Sequence, residues 1–322
     1  MTQYAVTLAD IERARDRIQA HVLRTPVLPA PDLSARCGRT VWAKCECLQH
    51  TGSFKIRGAS SAVWALSDAA AAHGVLTHSS GNHGRALAHA AKARGIKAHV
   101  VMPRDSSKVK LDAVAELGAA TYLCGPTEPE RMAECDRVQA ATGAEVVPPY
   151  NHPMVIAGQG TIALEILEQL PSAGTVVVPV GGGGMISGIA AAVRALRPGL
   201  RVVGAEPALA DDAAEGKRTG TIAAQRPPVT IADGLRAPLG SLTFPMVRDL
   251  VDEIVTVSEA EIVAGMRLVM ERMHLVIEPS AGVGVAALLS PSMRATAADD
   301  EARGPTVLVL CGGNANLAAL PW

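Results

Sequence analysis

The sequence predicts an α/β fold organised on a mostly parallel sheet. Short Val- and Ile-rich runs alternate with Ala-rich stretches of helical character, and repeated strand–helix alternation builds parallel sheets. Hydrophobic residues make up 48% of the chain and charged ones 19%, a balance that buries a substantial core and argues against disorder. At 322 residues the chain exceeds what one core usually supports, so two intimately joined domains are expected.

The first helix is signalled by Thr7 with Asp10 three residues on, followed by Ile11, Ala14, Ile18 and Val22 at helical spacing. Strands are expected at Val41 to Lys44, Ala98 to Met102, Ala120 to Leu123, Thr175 to Val180, Arg201 to Ala205 and Thr306 to Leu310, with a strand-like run at Val75 to His78. A helix from about Ile186 to Leu196 is stopped by Pro198-Gly199. The segments Ala69 to Ala72 and Ala295 to Ala302 read as loose surface. Pro148-Pro149 marks a return between domains, and Leu76 to Val147 holds enough elements for a small α/β unit. In such folds ligands bind at the C-terminal ends of strands, which directs the search for a site.

Composition narrows the ligands. Lys+Arg is 30 against Asp+Glu 31, without a basic run, so no nucleic-acid or membrane partner is expected and ligands should be small. No apolar run reaches the roughly 20 residues of a membrane span, and the N-terminus lacks signal-peptide character, so a cytoplasmic location is expected. Cys37, Cys45, Cys47, Cys124, Cys135 and Cys311 lack metal-site or disulfide spacing and read as mostly reduced, with Cys45 and Cys47 explained by alternation in a strand.

Four motifs carry chemistry. Gly181 to Gly184 follow a strand and precede a helix, where backbone N–H groups can converge on a phosphate; a tight turn with close helix packing is the alternative. The spacing is neither G-x-G-x-x-G nor a P-loop, which weakens nucleotide readings. In Ser53-Phe54-Lys55-Ile56-Arg57-Gly58, a desolvated Lys55 would be a nucleophile and base, whereas alone it reads as a surface charge, with Arg57 as an exposed helix end. Ser79-Ser80-Gly81-Asn82-His83-Gly84 can hold a carboxylate and poise a hydroxyl for proton transfer, or be an N-cap and turn. Cys311-Gly312-Gly313-Asn314 ends a strand with a thiol too weak to supply an aspartate's charge, or with a small core residue. Apart from these four, Glu206, Ala210 and Asp212 form an acidic loop that suits a hard cation or lies on the surface.

In order and spacing, these motifs resemble the fold-type II pyridoxal-phosphate enzymes along essentially the whole chain. Within them the chain is most similar to the group of serine racemases, serine/threonine dehydratases and hydroxyaspartate dehydratases, through Ala157 to Thr161, Thr230 to Gly234 and Ile277 to Gly284 as well. The resemblance implies two open twisted sheets, a large cofactor domain of residues 1–75 and 149–322, and a small mobile domain of residues 76–148. It implies that Lys55 carries pyridoxal phosphate as a Schiff base beside Phe54. Asn82 then contacts the phenolic oxygen, Gly181, Gly182, Gly183, Gly184 and Met185 the phosphate, and Cys311 the ring nitrogen. Ser79, Asn82 and His83 bind the substrate carboxylate, and Ser80 exchanges a proton on the face opposite Lys55. Glu206, the carbonyl of Ala210 and Asp212 match a Mg²⁺ or Ca²⁺ site, with Mn²⁺ a further candidate.

The activity implied is removal of ammonia from serine, threonine or 3-hydroxyaspartate, with serine racemisation as a second outcome, in a homodimer. A dedicated serine or aspartate racemase and a non-catalytic phosphate-ligand sensor are the competing readings. Arg85 replaces a usual glutamine and is expected either to take a second substrate carboxylate or to be a charged helix surface. A threonine-dehydratase-type regulatory domain is expected to be absent, since the chain ends soon after Cys311.

Overall fold

The computed structural model describes residues 4–79, 81–106, 108–224 and 226–322. Its strands are β1 (Val27–Pro29), β2 (Val41–Lys44), β3 (Val75–Thr77), β4 (Ala98–Pro103), β5 (Ala120–Cys124), β6 (Glu145–Val146), β7 (Thr175–Pro179), β8 (Arg201–Pro207), β9 (Glu253–Val257) and β10 (Thr306–Val309). They form two sheets. One is six-stranded in the order β1-β2-β10-β7-β8-β9, parallel except for β1; the other is four-stranded in the order β5-β4-β3-β6 and wholly parallel.

Strand composition explains the order. All five residues of β7 are buried, as expected of a central strand with helices on both faces. Pro29, which lacks an N–H, sits on the edge strand β1, where that donor is not needed by a neighbour. The expected strands are all present within a residue or two. β1, β6 and β9 were not anticipated: two are only three and two residues long, and β9 carries its alternation on an edge.

The helices pack closely through glycines. A Cβ on Gly158 would lie 2.7 Å from Ser61 Cβ, and one on Gly188 would lie 2.6 Å from Gly160 N, so the helices Lys55–Ala65, Pro153–Gln169 and Gly184–Leu196 approach backbone to backbone. This seats the Lys55 helix against the helix Pro153–Gln169. Among the described residues no helix is long and apolar enough to cross a membrane.

Four expectations are corrected. Ala69 to Ala72 lie in the helix Asp68–His73, capped by Ser67 Oγ, which accepts from Ala70 N at 3.2 Å. Ala295 to Ala302 span the helices Pro291–Ala295 and Ala297–Arg303, and their Asp300 is 1% exposed. Asp300 pairs with buried Arg39 and accepts from Arg201 Nη1 at 3.1 Å, joining the segment just before β2 to the start of β8. An Ala/Asp-rich composition conceals such a role. Arg57 is fully buried rather than an exposed helix end, paired with Glu46 and Glu165 at 2.8 and 2.7 Å. Cys45 follows β2 and Cys47 lies in the 3-10 turn Glu46–Leu48, so both thiols are buried by tertiary packing and not by strand alternation. All six cysteines are free.

Candidate active site

β2 and β10 run parallel side by side, so the segments that leave their C-terminal ends also lie together. Phe54 N donates to the Cys311 carbonyl at 3.1 Å, and Ser53 bridges Gly312. Lys55 opens the helix Lys55–Ala65 at this seam. Its Nζ donates to the Pro149 carbonyl at 2.8 Å and lies 5.1 Å from the centre of the Phe54 ring. The residue keeps contact with the cleft yet is enclosed by protein. Desolvation pushes its amine down to about 8, against the opposing pull of Cys311 and Glu278.

Gly181 to Gly184 join β7 to the helix Gly184–Leu196 across the cleft. Gly183 takes a φ of +82°, a left-handed conformation that suits glycine, and caps the helix without a side chain. The first-turn amides are therefore left for a ligand at the positive end of the helix. A Cβ on Gly182 would enter the Tyr150 ring, and one on Gly181 would lie 2.8 Å from Leu235 Cα. The loop thus presents bare backbone because its surroundings leave no room for side chains. Phe54, Lys55, Tyr150, the four glycines, Met185, Glu278 and Cys311 line one cleft.

The hydroxyl-rich motif follows β3. Ser79 Oγ accepts from Gly81 N at 3.4 Å, and Asn82 begins the helix Asn82–Arg94. Ser80 lies outside the described residues. Asn82 Nδ2 donates to Glu278 Oε1 and Oε2 at 2.8 and 3.0 Å, and Arg85 Nη1 donates to Asn314 Oδ1 at 2.9 Å. His83 is buried, and its Nε2 is 2.9 Å from the Val147 carbonyl. A carbonyl only accepts, so Nε2 carries the proton and Nδ1 is an acceptor. Burial, reinforced by Lys55, drives the ring down to about 3. A neutral ring with that tautomer does not donate from Nδ1, so a carboxylate contact of His83 falls to its backbone N–H in the first turn of the helix.

Cys311 is buried beside these groups, and desolvation raises its thiol well above the ordinary range, so it stays protonated. Glu278 was not anticipated. It precedes the helix Pro279–Leu289, is buried, and is pushed up to about 7 by desolvation, with the Asn82 hydrogen bond opposing. Its signal was present: an acid directly before a proline-initiated helix inside the Ile277 to Gly284 stretch, where it reads as an ordinary helix start. The Pro149 carbonyl had no signal, because backbone acceptors are set by folding alone.

The acidic loop lies apart from this cleft. Glu206 ends β8 and accepts from Ala213 N and Ala214 N at 3.0 and 2.9 Å; Asp212 accepts from Leu239 N at 3.0 Å. Burial pushes Glu206 up to about 8, helped by Asp212 and Asp211. Asp212 is likewise raised by burial, and Ala210 is 9% exposed beside it. Among the described residues no three His, Cys, Asp or Glu side chains converge as a metal cluster. The expected set here has two carboxylates and one carbonyl.

The sequence model of the family described as "Pyridoxal-phosphate dependent enzyme" matches residues 18–312. The chain belongs to this family. It is 45% identical over 318 residues to the serine racemase of Arabidopsis thaliana, covering 99% of this chain and 96% of that protein. It is 44% identical over 321 residues to the β-hydroxyaspartate dehydratase of Paracoccus denitrificans, covering 99% of each. Among solved structures, that of maize serine racemase superposes with a TM-score of 0.95 at 43% identity, covering 98% of this chain and 95% of that one. The fold is accordingly the fold-type II pyridoxal-phosphate architecture. The cleft suits the cofactor: an enclosed amine for its aldehyde, and uncapped helix-start amides for its phosphate.

Proposed function

We propose that the chain is an ammonia-lyase for β-hydroxy amino acids, with serine racemisation as a second outcome. The observation that carries the reading is Lys55: an amine with no side-chain counter-ion in contact among the described residues, lowered to about 8 by burial, facing a bare-backbone anion cup. The names of the relatives, serine racemase and β-hydroxyaspartate dehydratase, support both halves.

Pyridoxal phosphate supplies, when bound, an aldehyde that takes the substrate amine and a ring that acidifies the α-hydrogen. Gly181 to Gly184 and Met185 would hold its phosphate, Phe54 would lie beside its ring, and Asn82 would donate to its phenolic oxygen. Cys311 would meet the ring nitrogen with a protonated thiol, which supplies no negative charge there. Lys55 Nζ removes the α-proton, a base role that suits an amine lowered by burial. Ser80 delivers a proton to the opposite face when racemisation occurs. Ser79 and the amides that start the Asn82 helix hold the substrate carboxylate. In the net reaction the α-proton and the β-hydroxyl depart as one water, and one water added back releases the 2-oxo acid and ammonia.

The same reading assigns a stabilising divalent cation to Glu206, the Ala210 carbonyl and Asp212. It is supported by buried Glu206 and half-buried Asp212, both raised by desolvation, with Asp212 and Asp211 adding to the rise of Glu206. Residues 76–148, which carry the four-stranded sheet, act as the small mobile domain. Lys110 and Asp233 pair at 2.7 Å between that unit and the loop beside Leu235. A homodimer in the cytoplasm completes the reading by family resemblance.

The test is to add L-serine, L-threonine and the 3-hydroxyaspartate isomers to purified protein, following the visible cofactor band, 2-oxo acid and enantiomer. Formation of 2-oxo acid with a band shift supports the lyase. Inverted amino acid without 2-oxo acid makes it a dedicated racemase, and no turnover with any of them overturns the reading.

A further inference from the structure

Four side chains form a continuous hydrogen-bonded row from the rim of the cleft to its buried carboxylate. Arg85 Nη1 donates to Asn314 Oδ1 at 2.9 Å. Asn314 Nδ2 donates to the Thr51 carbonyl and to Asn82 Oδ1, each at 2.8 Å. Asn82 Nδ2 donates to Glu278 at 2.8 and 3.0 Å. A Cβ on Gly52 would run into the Asn314 side chain, so the chain there leaves Asn314 little freedom.

The direction of each link follows from chemistry. A guanidinium has donors only, so Asn314 must turn its carbonyl toward Arg85. Its NH₂ then faces the acceptor-only Thr51 carbonyl and Asn82. Asn82 must answer with Oδ1, which leaves its NH₂ pointing to Glu278 and the cleft. An amide without such partners is free to flip by 180°, presenting an acceptor where a donor is needed. Arg85 thus has a task that depends on its being a donor, and the expected glutamine, able to donate or accept, would perform it less strictly.

We infer that Arg85 is a positioning residue: through Asn314 it fixes the Asn82 amide with its NH₂ turned toward the bound cofactor. The inference rests on the reading that Asn82 contacts pyridoxal phosphate, and the experiment separates the two. Apoprotein of the parent, Arg85→Lys, Arg85→Gln, Arg85→Glu, Asn314→Asp and Asn82→Ala is titrated with pyridoxal phosphate. Cofactor affinity and the visible band of the holo form are recorded, with far-UV circular dichroism confirming that each variant folds.

The donor-only lysine should keep the parent's band and an affinity within about twofold. The acceptor-only glutamate should weaken binding about tenfold and shift the band, roughly the loss of one charge-assisted hydrogen bond. Glutamine should fall between them. Asn314→Asp, which puts an acceptor against Asn82 Oδ1 from inside the row, should match the glutamate variant.

If Asn82→Ala changes affinity and spectrum while Arg85→Glu and Asn314→Asp leave both at the parent's values, the positioning role is overturned and the Asn82 contact survives. If Asn82→Ala also changes nothing, the Asn82 reading itself fails and takes the inference with it. A raised KM for 3-hydroxyaspartate alone in Arg85→Gln, with cofactor affinity and band unchanged, would assign the guanidinium to a substrate carboxylate and likewise overturn the inference.

Discussion

Lys44 and Lys55 are enclosed lysines eleven positions apart that have been given opposite surroundings. Lys44 is fully buried, yet its Nζ donates to Glu165 at 2.5 Å, to the Thr25 carbonyl at 2.7 Å and to Gln169 at 2.9 Å. Arg57, Glu46 and Glu165 extend this into a cluster whose charges balance. Among the described residues, Lys55 has one carbonyl at 2.8 Å and no carboxylate in contact. Burial lowers both amines, but around Lys44 the carboxylates Glu46 and Glu165 oppose it at close range. A compensated charge holds a fold together; an uncompensated one is free to exchange protons and attack carbonyls.

The largest effect expected from this contrast is on Lys55. Lys55→Ala should cut turnover by about 10³-fold or more, with thermal stability of the apoprotein kept or raised, because a desolvated cation has been removed. Steady-state rates and a melting curve check it. Near-parent activity would erase the distinction between the lysines.

The converse change is Arg57→Met, which strands Glu46 and Glu165. It should destabilise the protein by roughly 3–5 kcal/mol, the range for breaking a buried ion pair from one side, visible in denaturant melts. Unchanged stability would show that the cluster is not compensating charge as described.

A smaller, diagnostic effect is in pH. Lys55 is lowered from 10.5 to about 8, so the folded apoprotein gives up that proton first. Its contribution to stability is present above 10.5 and lost as pH falls through 8. The rate of cofactor uptake should correspondingly rise through about pH 8 and not near 10.5. Glu278 has the opposite sense: raised from 4.5 to about 7, it contributes stability below 4.5 that is lost as pH rises through 7. In Glu278→Gln apoprotein, the melting temperature should fall less than the parent's over that interval. Parallel pH–melting curves would contradict the environment assigned to Glu278.

The smallest effect concerns the acidic loop. Mg²⁺ at millimolar concentration should raise the parent's melting temperature by a few degrees, as expected for a ligand that binds only the folded state, and leave Glu206→Gln unmoved. Equal shifts in both would remove the cation from this loop.

The contrast between the lysines also marks what the sequence makes legible. The Val-rich strands, the Thr7–Asp10 cap and the glycine-rich turns are local patterns, and they located the large sheet and the cleft. Lys55 and Lys44 could not be told apart by local pattern, since their partners Glu165, Gln169 and Pro149 come from more than ninety positions away. Arg57 and Asp300 were misread for the same reason: burial of a charge is a property of packing. Glu278 was hidden by a role that its neighbours make plausible, and Asn314 sat inside a quoted motif without an assigned partner. The tautomer of His83 depends on the Val147 carbonyl, which only the fold supplies.

The most direct measurement is peptide mass spectrometry of holoenzyme reduced with borohydride, which makes a cofactor–lysine linkage permanent. The account predicts a pyridoxyl group on Lys55, with Lys44 unmodified in the same digest. A label on another lysine, or none on a protein that has bound the cofactor, would contradict it.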